Sequence, residues 1–410
     1  MPFAPATDLA AAIAAREVSA VEVVSAHLDR ISPELNAFTF VDAEGALAAA
    51  RDPLPGPLSG VPFTVKDTFA VAGWPLELGD PERAGERAVA DATVVSRLRA
   101  AGAILVGKTN CPPFGGGIET DNPVTGRTSN PYDRSRTCGG SSGGEAAAVA
   151  SGASAFGIGT DSGASVRLPA HFCGLAALKP TAGRVPLTGV VDDLGPLGSL
   201  SDPRTQVGPL ARSVADVALL LSLIAGPDGR DGGVAPVPLR PPGLVRGLRV
   251  AVLVDDGLAP PDEDTRSVIA LAAAALEDAE ALVEEAAPPG GGHALTIEVW
   301  GSYGSGAIAY DLLRRWDAYR EAMLGFGEGF DLILSPVFPS AAPRHGEIAN
   351  LTSYTTSHSL TGWPAATVRC GTSAEGLPIG MQVAAHPWRD DIALAAALAL
   401  ETALGGYSEP

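Results

Sequence analysis

Apolar and polar positions alternate between two periods along this chain, with Pro/Gly stretches between them. Asp8 to Arg16 reads as an alanine-rich helix, and Ser19 followed by Glu22 forms a capping box that opens a second helix through Arg30. Ala37–Val41 is strand-like, and the loop DPLPGPLSG (52–60) leads into a strand over Val61–Lys66. Thr93–Ala101 predicts a helix, Ala103–Val106 a short buried strand, and Glu145–Ala150 a helix continuing out of a glycine cluster. Ser213 caps a helix whose Val214, Val217, Leu221 and Ile224 follow helical spacing. Beyond the Pro/Gly segment 226–243, strands are expected at Leu248–Val254, Asp331–Ser335 and Gly380–Ala384. Helices are expected at Glu263–Glu280, across most of Thr296–Leu324, and at Asp391–Leu404. This alternation predicts an α/β fold, a central mixed twisted β-sheet covered on both faces by α-helices. The expected organisation is one large domain over 1–410: a helical segment 1–60, a core 61–225, a surface linker 226–243, and a part 244–410 that completes sheet and pocket.

Composition narrows the function. The 410 residues are 46% apolar, ample for a packed core, and the net charge of −19 argues against nucleic acid or an anionic membrane as partner. Cys111, Cys138, Cys173 and Cys370 show no C-x-x-C spacing, so neither a metal site nor a disulfide framework is expected. The first residues carry acidic groups and no basic stretch before an apolar run, unlike a signal peptide, and no uncharged apolar run is long enough to span a membrane. The expectation is a soluble cytoplasmic protein needing no cofactor, with a homodimer as the default assembly.

The densest small-residue region runs from Cys138 to Thr181 and holds two clusters, GGSSGG and DSGAS. Glycine removes the Cβ barrier to close substrate approach. A serine there becomes a nucleophile only with a partner, and neither cluster contains a histidine. The chain has three lysines, Lys66, Lys108 and Lys179, and Lys66 ends the apolar run GVPFTVK. Serine chemistry with lysine as base is therefore the first candidate. Two other patterns are set aside. Gly102–Thr109 has the letters of a phosphate-binding loop, but its middle residues Ala, Ile, Leu and Val make a strand and not a bent loop, which leaves Lys108 as a helix-capping or structural lysine. Gly139–Gly143 has the letters of a nucleophile elbow, yet TSNPYDRSRTC before it is polar and irregular, and none of His345, His358 and His386 sits in a distinctive setting. None of the six histidines is assigned a catalytic role.

In order along the chain, GVPFTVKD (60–67), GKTN (107–110), TDNPVTGRTSNPYD (120–133), GGSSGGEAAAVASG (139–152), GTDSGASVRLPAHFCGLAALKPT (159–181) and QVGPLARSVADVALLL (206–221) resemble the amidase signature family. FDLILSP (330–336), LTGWPAATV (360–368) and GLPIGMQV (376–383) are similar to its C-terminal strands. The resemblance implies a single large amidase-signature domain that hydrolyses a carboxylic amide C–N bond of a small-molecule substrate through an acyl-enzyme. By matching motif position, Lys66 is the base, Ser141 a bridging serine preceded by a cis peptide, and Ser165, 24 positions on, the nucleophile. Backbone N–H groups of Ser162, Gly163, Ala164 and Ser165 would form the oxyanion hole. Ser142, Asp161 and Arg167 would support it, the last two as a loop-shaping ion pair. A glutamine-hydrolysing component that donates ammonia to a partner, an acyl transferase or esterase using the same acyl-enzyme, and a non-catalytic relative remain alternatives.

The sequence departs from the family pattern in places. Ala164 stands where a second glycine is usual, and would cost about 1–2 kcal/mol if that backbone needs φ > 0. Cys138 stands where proline is common and Ser359 where asparagine is frequent. The segment GSYGSGAIA (301–309) looks like a shortened substrate-covering region, implying an acyl pocket that is more open or is completed by a partner. Specificity is expected from loops around 120–132, 188–206, 300–320 and 338–360. Tyr303, Trp316, Phe338 and Trp363 are the candidate wall residues, with core packing the commoner fate of such side chains.

Overall fold

The protein is described by a computed structural model covering residues 1–192, 195–305, 308–349 and 352–410. In chain order, α1 (Ala6–Ala14) and α2 (Ala20–Leu28) lead to β1 (Phe38–Val41), α3 (Ala43–Ala50), β2 (Pro62–Lys66), α4 (Thr93–Ala100) and β3 (Ile104–Thr109). Then come α5 (Gly143–Ala150), β4 (Phe156–Asp161), α6 (Arg167–Phe172), β5 (Ala176–Lys179), a small ribbon of β6 (Val191–Asp192) and β7 (Gly195–Pro196), β8 (Gln206–Ala211) and α7 (Val214–Ile224). The rest is β9 (Arg249–Val252), α8 (Glu263–Asp278), β10 (Leu282–Glu285), α9 (Gly292–Gly304), α10 (Tyr310–Gly327), β11 (Leu332–Pro336), α11 (Ser353–Thr361), β12 (Ala365–Thr372), β13 (Pro378–Ala385) and α12 (Asp390–Leu404).

All strands but β6 and β7 join one mixed sheet in the order β1-β3-β2-β4-β8-β5-β12-β13-β11-β9-β10. The neighbours β3, β2 and β4 run parallel, as do β11, β9 and β10, and the middle of the sheet is antiparallel. The expected α/β class and mixed sheet hold. Helices α7, α8 and α12 pack on the sheet over one large apolar core, and α5 and α6 cover the other face with a second cluster. The capping box on α2 is formed as the sequence predicts, with the Ser19 side chain accepting from Glu22 N–H.

The alternation of side chains along β2 decides where chemistry occurs. Phe63 and Val65 enter the large core, while the period of two turns Thr64 and Lys66 to the α5 side. Parallel pairing sets Val65 beside Ile158, so the C-terminal ends of β2 and β4 open on the same edge. That edge is where ligands sit in open α/β sheets.

Three central strands, β4, β5 and β8, lie outside the sequence expectation. β4 contains Gly157 and Gly159, and β8 contains Gly208 and Pro209, residue types that disfavour strands. Here the glycines permit close approach. A Cβ on Gly157 would lie 1.9 Å from Glu145 Oε2, and one on Gly208 would lie 2.2 Å from the Leu178 carbonyl oxygen. The helix expected across Thr296–Leu324 is two, α9 and α10, with 306–307 between them outside the described residues. Segment 226–243 is tied to the body through Asp231, which accepts from Leu187 N–H at 2.9 Å and from the Ser199 hydroxyl at 2.7 Å. Among the described residues no helix is long and apolar enough to cross a membrane.

Candidate active site

Lys66 is the last residue of β2 and is fully buried. Its Nζ lies 2.7 Å from Ser141 Oγ and 2.8 Å from Thr160 Oγ1 at the end of β4. Burial lowers its pKa to about 8, against the opposing pull of Cys111, Asp161 and Glu145. Cys111 itself is pushed up to about 12 by burial.

Ser141 sits in the turn before α5, and the Gly140–Ser141 peptide bond is cis. Glycines on both sides admit close neighbours. A Cβ on Gly140 would meet the Glu119 backbone nitrogen at 2.8 Å, and one on Gly143 would meet Thr120 Oγ1 at 2.4 Å. Thr120 fastens the turn from both ends, accepting from Gly143 N–H at 3.1 Å and donating to the Gly139 carbonyl at 2.9 Å. Ser142 links the turn to the next loop: its N–H donates to the Ser165 carbonyl at 3.1 Å and its hydroxyl to the Thr160 carbonyl at 3.3 Å. The first serine cluster therefore opens a helix directly and is not an elbow after a buried strand.

The loop after β4 carries Ser162, Gly163, Ala164 and Ser165. Asp161 Oδ2 accepts the N–H groups of Val166 at 3.1 Å and Arg167 at 3.3 Å, whereas the N–H groups of 162–165 have no acceptor among the described residues. Asp161 and Arg167 form a fully buried ion pair at 2.9 Å. Burial raises the Asp161 carboxyl, but the Arg167 charge and hydrogen bonds outweigh it and hold the pKa below the usual value. Arg167 also donates to the Gly163 carbonyl and the Ser359 hydroxyl, each at 2.8 Å, and to the Thr355 carbonyl at 2.9 Å. The Gly163 carbonyl is thus held by a buried guanidinium. Ser359, the residue that departs from the family's asparagine, takes part in this clamp.

Ala164 is not in the left-handed region, so the expected strain at that position does not arise. Its methyl packs in a cluster with Leu168, Phe172, Phe338 and Ala342. Ser165 is partly exposed at the cavity floor, and its Oγ has no hydrogen bond among the described residues. The structure therefore makes the Lys66–Ser141 contact and leaves Ser141 and Ser165 without a direct hydrogen bond. Such contacts commonly tighten only when substrate is bound.

Above Ser165 lies a cavity of about 640 Å³. Its walls include Phe114, Ile118, Val191, Leu197, Trp300 and Tyr303. Of the wall candidates in the sequence, Tyr303 lines the cavity; Trp316 and Trp363 belong to an apolar cluster behind it, and Phe338 packs under Ala164. The 301–309 segment thus contributes wall through Tyr303, with Trp300 just before it. Trp300 sits so close to the 162–165 loop that a Cβ on Gly163 would lie 2.5 Å from its Cζ2. A polar rim completes the site: Ser162 Oγ meets Thr205 Oγ1 at 2.5 Å, Thr205 donates to Asp202 at 2.6 Å, and Asp202 holds Arg204 at 2.8 Å. Arg204 in turn stacks 3.8 Å from the Tyr303 ring centroid.

Sequence reasoning missed Thr120, Thr160, Trp300 and the Asp202–Arg204 pair, and took Glu145 only as the start of a helix. Thr160 had a signal, its place immediately before DSGAS; the others meet the site only through tertiary approach. Lys108, from the phosphate-loop look-alike, is a structural residue in β3. Its Nζ lies 2.8 Å from Asp67 Oδ1 and donates to the Pro75 carbonyl at 2.6 Å. A hollow of about 320 Å³ between α3 and β3 holds none of the site residues.

Comparison with known proteins places these features in a family. The amidase family model matches residues 19–312 and 301–394. The chain is 46% identical to one subunit of the glutamyl-tRNA(Gln) amidotransferase from Acidothermus cellulolyticus over 265 residues, 60% of this chain and 51% of that protein, about half the relative's length. It is 34% identical to an acylamidase of Rhodococcus erythropolis, covering 97% of this chain and 94% of the other. Among solved structures, 6-aminohexanoate cyclic dimer hydrolase in complex with substrate superposes with a TM-score of 0.86 at 30% identity, covering 98% of this chain and 97% of that one.

Proposed function

The chain belongs to the amidase signature family, whose members act on amide C–N bonds, and from that premise we propose that it is a cofactor-independent hydrolase of neutral carboxylic amides with apolar acyl groups. The observation that carries this reading is the buried Lys66 Nζ 2.7 Å from Ser141 Oγ. Lysine is a base only when neutral, and burial disfavours its ammonium. Neutral Lys66 takes the proton of Ser141 while Ser141 takes that of Ser165, and Ser165 Oγ bonds to the substrate carbonyl carbon. The carbonyl oxygen becomes an oxyanion, which the free N–H groups of the 162–165 loop are placed to receive. When the C–N bond breaks, the proton returns by the same route to the leaving amine. Water then attacks the Ser165 ester by the same relay and releases the acid.

The cavity supports an apolar acyl group over glutamine. Arg204 is the cationic residue among the described lining residues, and Asp202 already holds its charge. A free amino acid substrate would bring a carboxylate with no open cation to meet it. Fluorophosphonate labelling with mass spectrometry, on wild type and Lys66→Ala, tests the triad. The expected adduct is on Ser165 and is lost or greatly slowed without Lys66. An adduct on Ser141, or undiminished labelling of the variant, overturns the assignment. Glutaminase activity above hydrolysis of an acyl anilide would favour the ammonia-donating reading.

A further inference from the structure

Two buried hydroxyls in the cavity wall, those of Thr68 and Thr352, have no hydrogen-bond partner among the described residues. Thr68 belongs to the reacting end: a Cβ on Gly115 would lie 3.3 Å from its Cγ2 and 3.2 Å from Lys66 Nζ. Thr352 stands at the N-terminus of α11 and is 1% exposed. A threonine in that place ordinarily caps its helix through the side chain, yet Thr352 makes no such bond. Its main chain is fixed all the same. The Thr352 carbonyl accepts from Thr355 N–H at 3.1 Å, from Thr356 N–H at 3.0 Å and from the Thr355 hydroxyl at 2.9 Å. The next two N–H groups, of Ser353 and Tyr354, have no acceptor among the described residues, and the buried Ser353 hydroxyl has no partner there either. A buried hydroxyl left unpaired is a standing cost to the fold. Beside two free amides at the positive end of a helix, it is a site for a hydrogen-bond acceptor.

We propose that the N-terminus of α11 is an acceptor subsite in which Thr352 binds a second, neutral carbonyl group carried by the acyl chain of the amide substrate. The proposal deepens the amide-hydrolase reading and rests on it. Its place in the site follows from contacts. One turn on from Thr352, Thr356 Cγ2 lies 3.7 Å from where a Cβ on Gly163 would be, beside Trp300 Cζ2. The Thr356 hydroxyl and His293 Nδ1, 3.2 Å apart, join α11 to α9, the helix that carries Trp300. An acyl chain running along Trp300 therefore meets the free end of α11 about one helical turn, roughly 5.4 Å, beyond the 162–165 loop. A neutral group suits this end better than an anion. Asp256 N–H donates to the Tyr354 hydroxyl at 3.4 Å, and Asp256 Oδ2 is buried with no partner among the described residues, so a carboxyl already stands one tyrosine side chain away. Asp202 lines the same cavity.

Binding to the full chain carrying Ser165→Ala tests the subsite apart from turnover. The probes are acyl anilides of equal chain length: an all-methylene chain, chains with a ketone at successive positions, and one ending in a carboxylate. By calorimetry, one ketone position should bind about tenfold more tightly than the methylene chain, the gain of giving a buried donor its partner. Adding Thr352→Val should erase that difference, and Thr352→Ser, which keeps the hydroxyl, should preserve it. Equal binding of ketone and methylene chains at every position, or a preference that survives Thr352→Val, overturns the subsite. Tighter binding of the carboxylate than of every ketone overturns its neutral character. A second readout needs no ligand. Thr352→Val exchanges an unpaired buried hydroxyl for a methyl of the same shape, so Tm should rise by about 1–2 °C. A fall in Tm, or loss of folding, would mean that the hydroxyl already has a partner, and the proposal falls. Wild type incubated with the preferred ketone amide reports on the reaction separately. If no acid is released from an amide that the Ser165→Ala chain binds selectively, the hydrolase reading fails and the subsite stands.

Discussion

On the proposed reading, Lys66 costs the fold what it gives the reaction. Its pKa of about 8 in the folded state lies below the ordinary 10.5, so between those values the unfolded chain binds more protons. Stability from this group therefore rises with pH across that window, and below pH 8 the full penalty is present. Lys66→Met should abolish turnover and raise Tm at pH 7, with the gap to wild type closing as pH approaches 10.5. Paired melting curves at pH 7 and pH 10 check this, and equal Tm values at both would refute it. Activity of the wild type should climb about tenfold per unit below pH 8 and level off above it, since only neutral lysine accepts a proton. A profile flat from pH 5 to 9 would exclude lysine as the base. Ala164 gives a second test at this scale. Because its backbone is in an ordinary region and its methyl is packed, Ala164→Gly should lower stability by about 1 kcal/mol and bring no gain in kcat/KM. Chemical denaturation beside steady-state kinetics measures both.

At the scale of elements, β4 holds the site together by what it lacks. Gly157 leaves space for Glu145 Oε2, and Gly159 for the Ser142 side chain, where a Cβ would lie 2.5 Å from Oγ. Gly157→Ala should cost about 3 kcal/mol or more, because the obstacle is a carboxyl fixed by two hydroxyls in a closed core. The comparison is Gly325→Ala within α10, where a Cβ meets nothing within 4 Å and helix propensity should add about 0.5–1 kcal/mol. Equal effects from the two substitutions would show that backbone freedom, and not space, explains the glycine in β4. The same residues explain what the sequence hid. β2 was legible because PFTVK alternates cleanly, and α2 and α7 because Ser19 and Ser213 cap them; the short helices α3, α6 and α11 were outside the sequence expectation. β4 and β8 were not legible, because a strand buried on both faces that also admits a neighbouring side chain or carbonyl must carry glycine, which reads locally as loop. Lys66, Ser141 and Ser165 were singled out by motif position and the scarcity of lysine, and of their contacts the structure shows that of Lys66 with Ser141. Trp300 and Arg204 lie in stretches that the sequence marks only broadly, as a helix and as specificity loops, and become cavity wall only when α9 and the loop after β7 fold over Ser165.

For the molecule as a whole, charge and cavity act in the same direction on the choice of substrate. The net charge of −19 creates a field that opposes approach of anions, reaching about 10 Å into 0.1 M salt. Inside, Asp202 occupies Arg204. An acyl anilide with an uncharged chain should therefore be preferred over one of equal length ending in a carboxylate, by about 100-fold in kcat/KM at low salt, or roughly 2.7 kcal/mol. The two sources of selectivity separate by salt. Screening removes the long-range repulsion, so the anionic substrate should improve as ionic strength rises while the neutral one stays level. What remains at high salt belongs to the cavity, and there Asp202→Asn is decisive. It releases Arg204, still stacked on Tyr303, as an open cation facing the acyl group. The variant should gain about tenfold toward the carboxylate substrate at high salt without a matching gain on the neutral one. If wild type already prefers the carboxylate, or Asp202→Asn leaves the ratio unchanged, the pair is not what sets the charge of the acceptable acyl group, and the apolar walls at Trp300 and Tyr303 must carry selectivity alone.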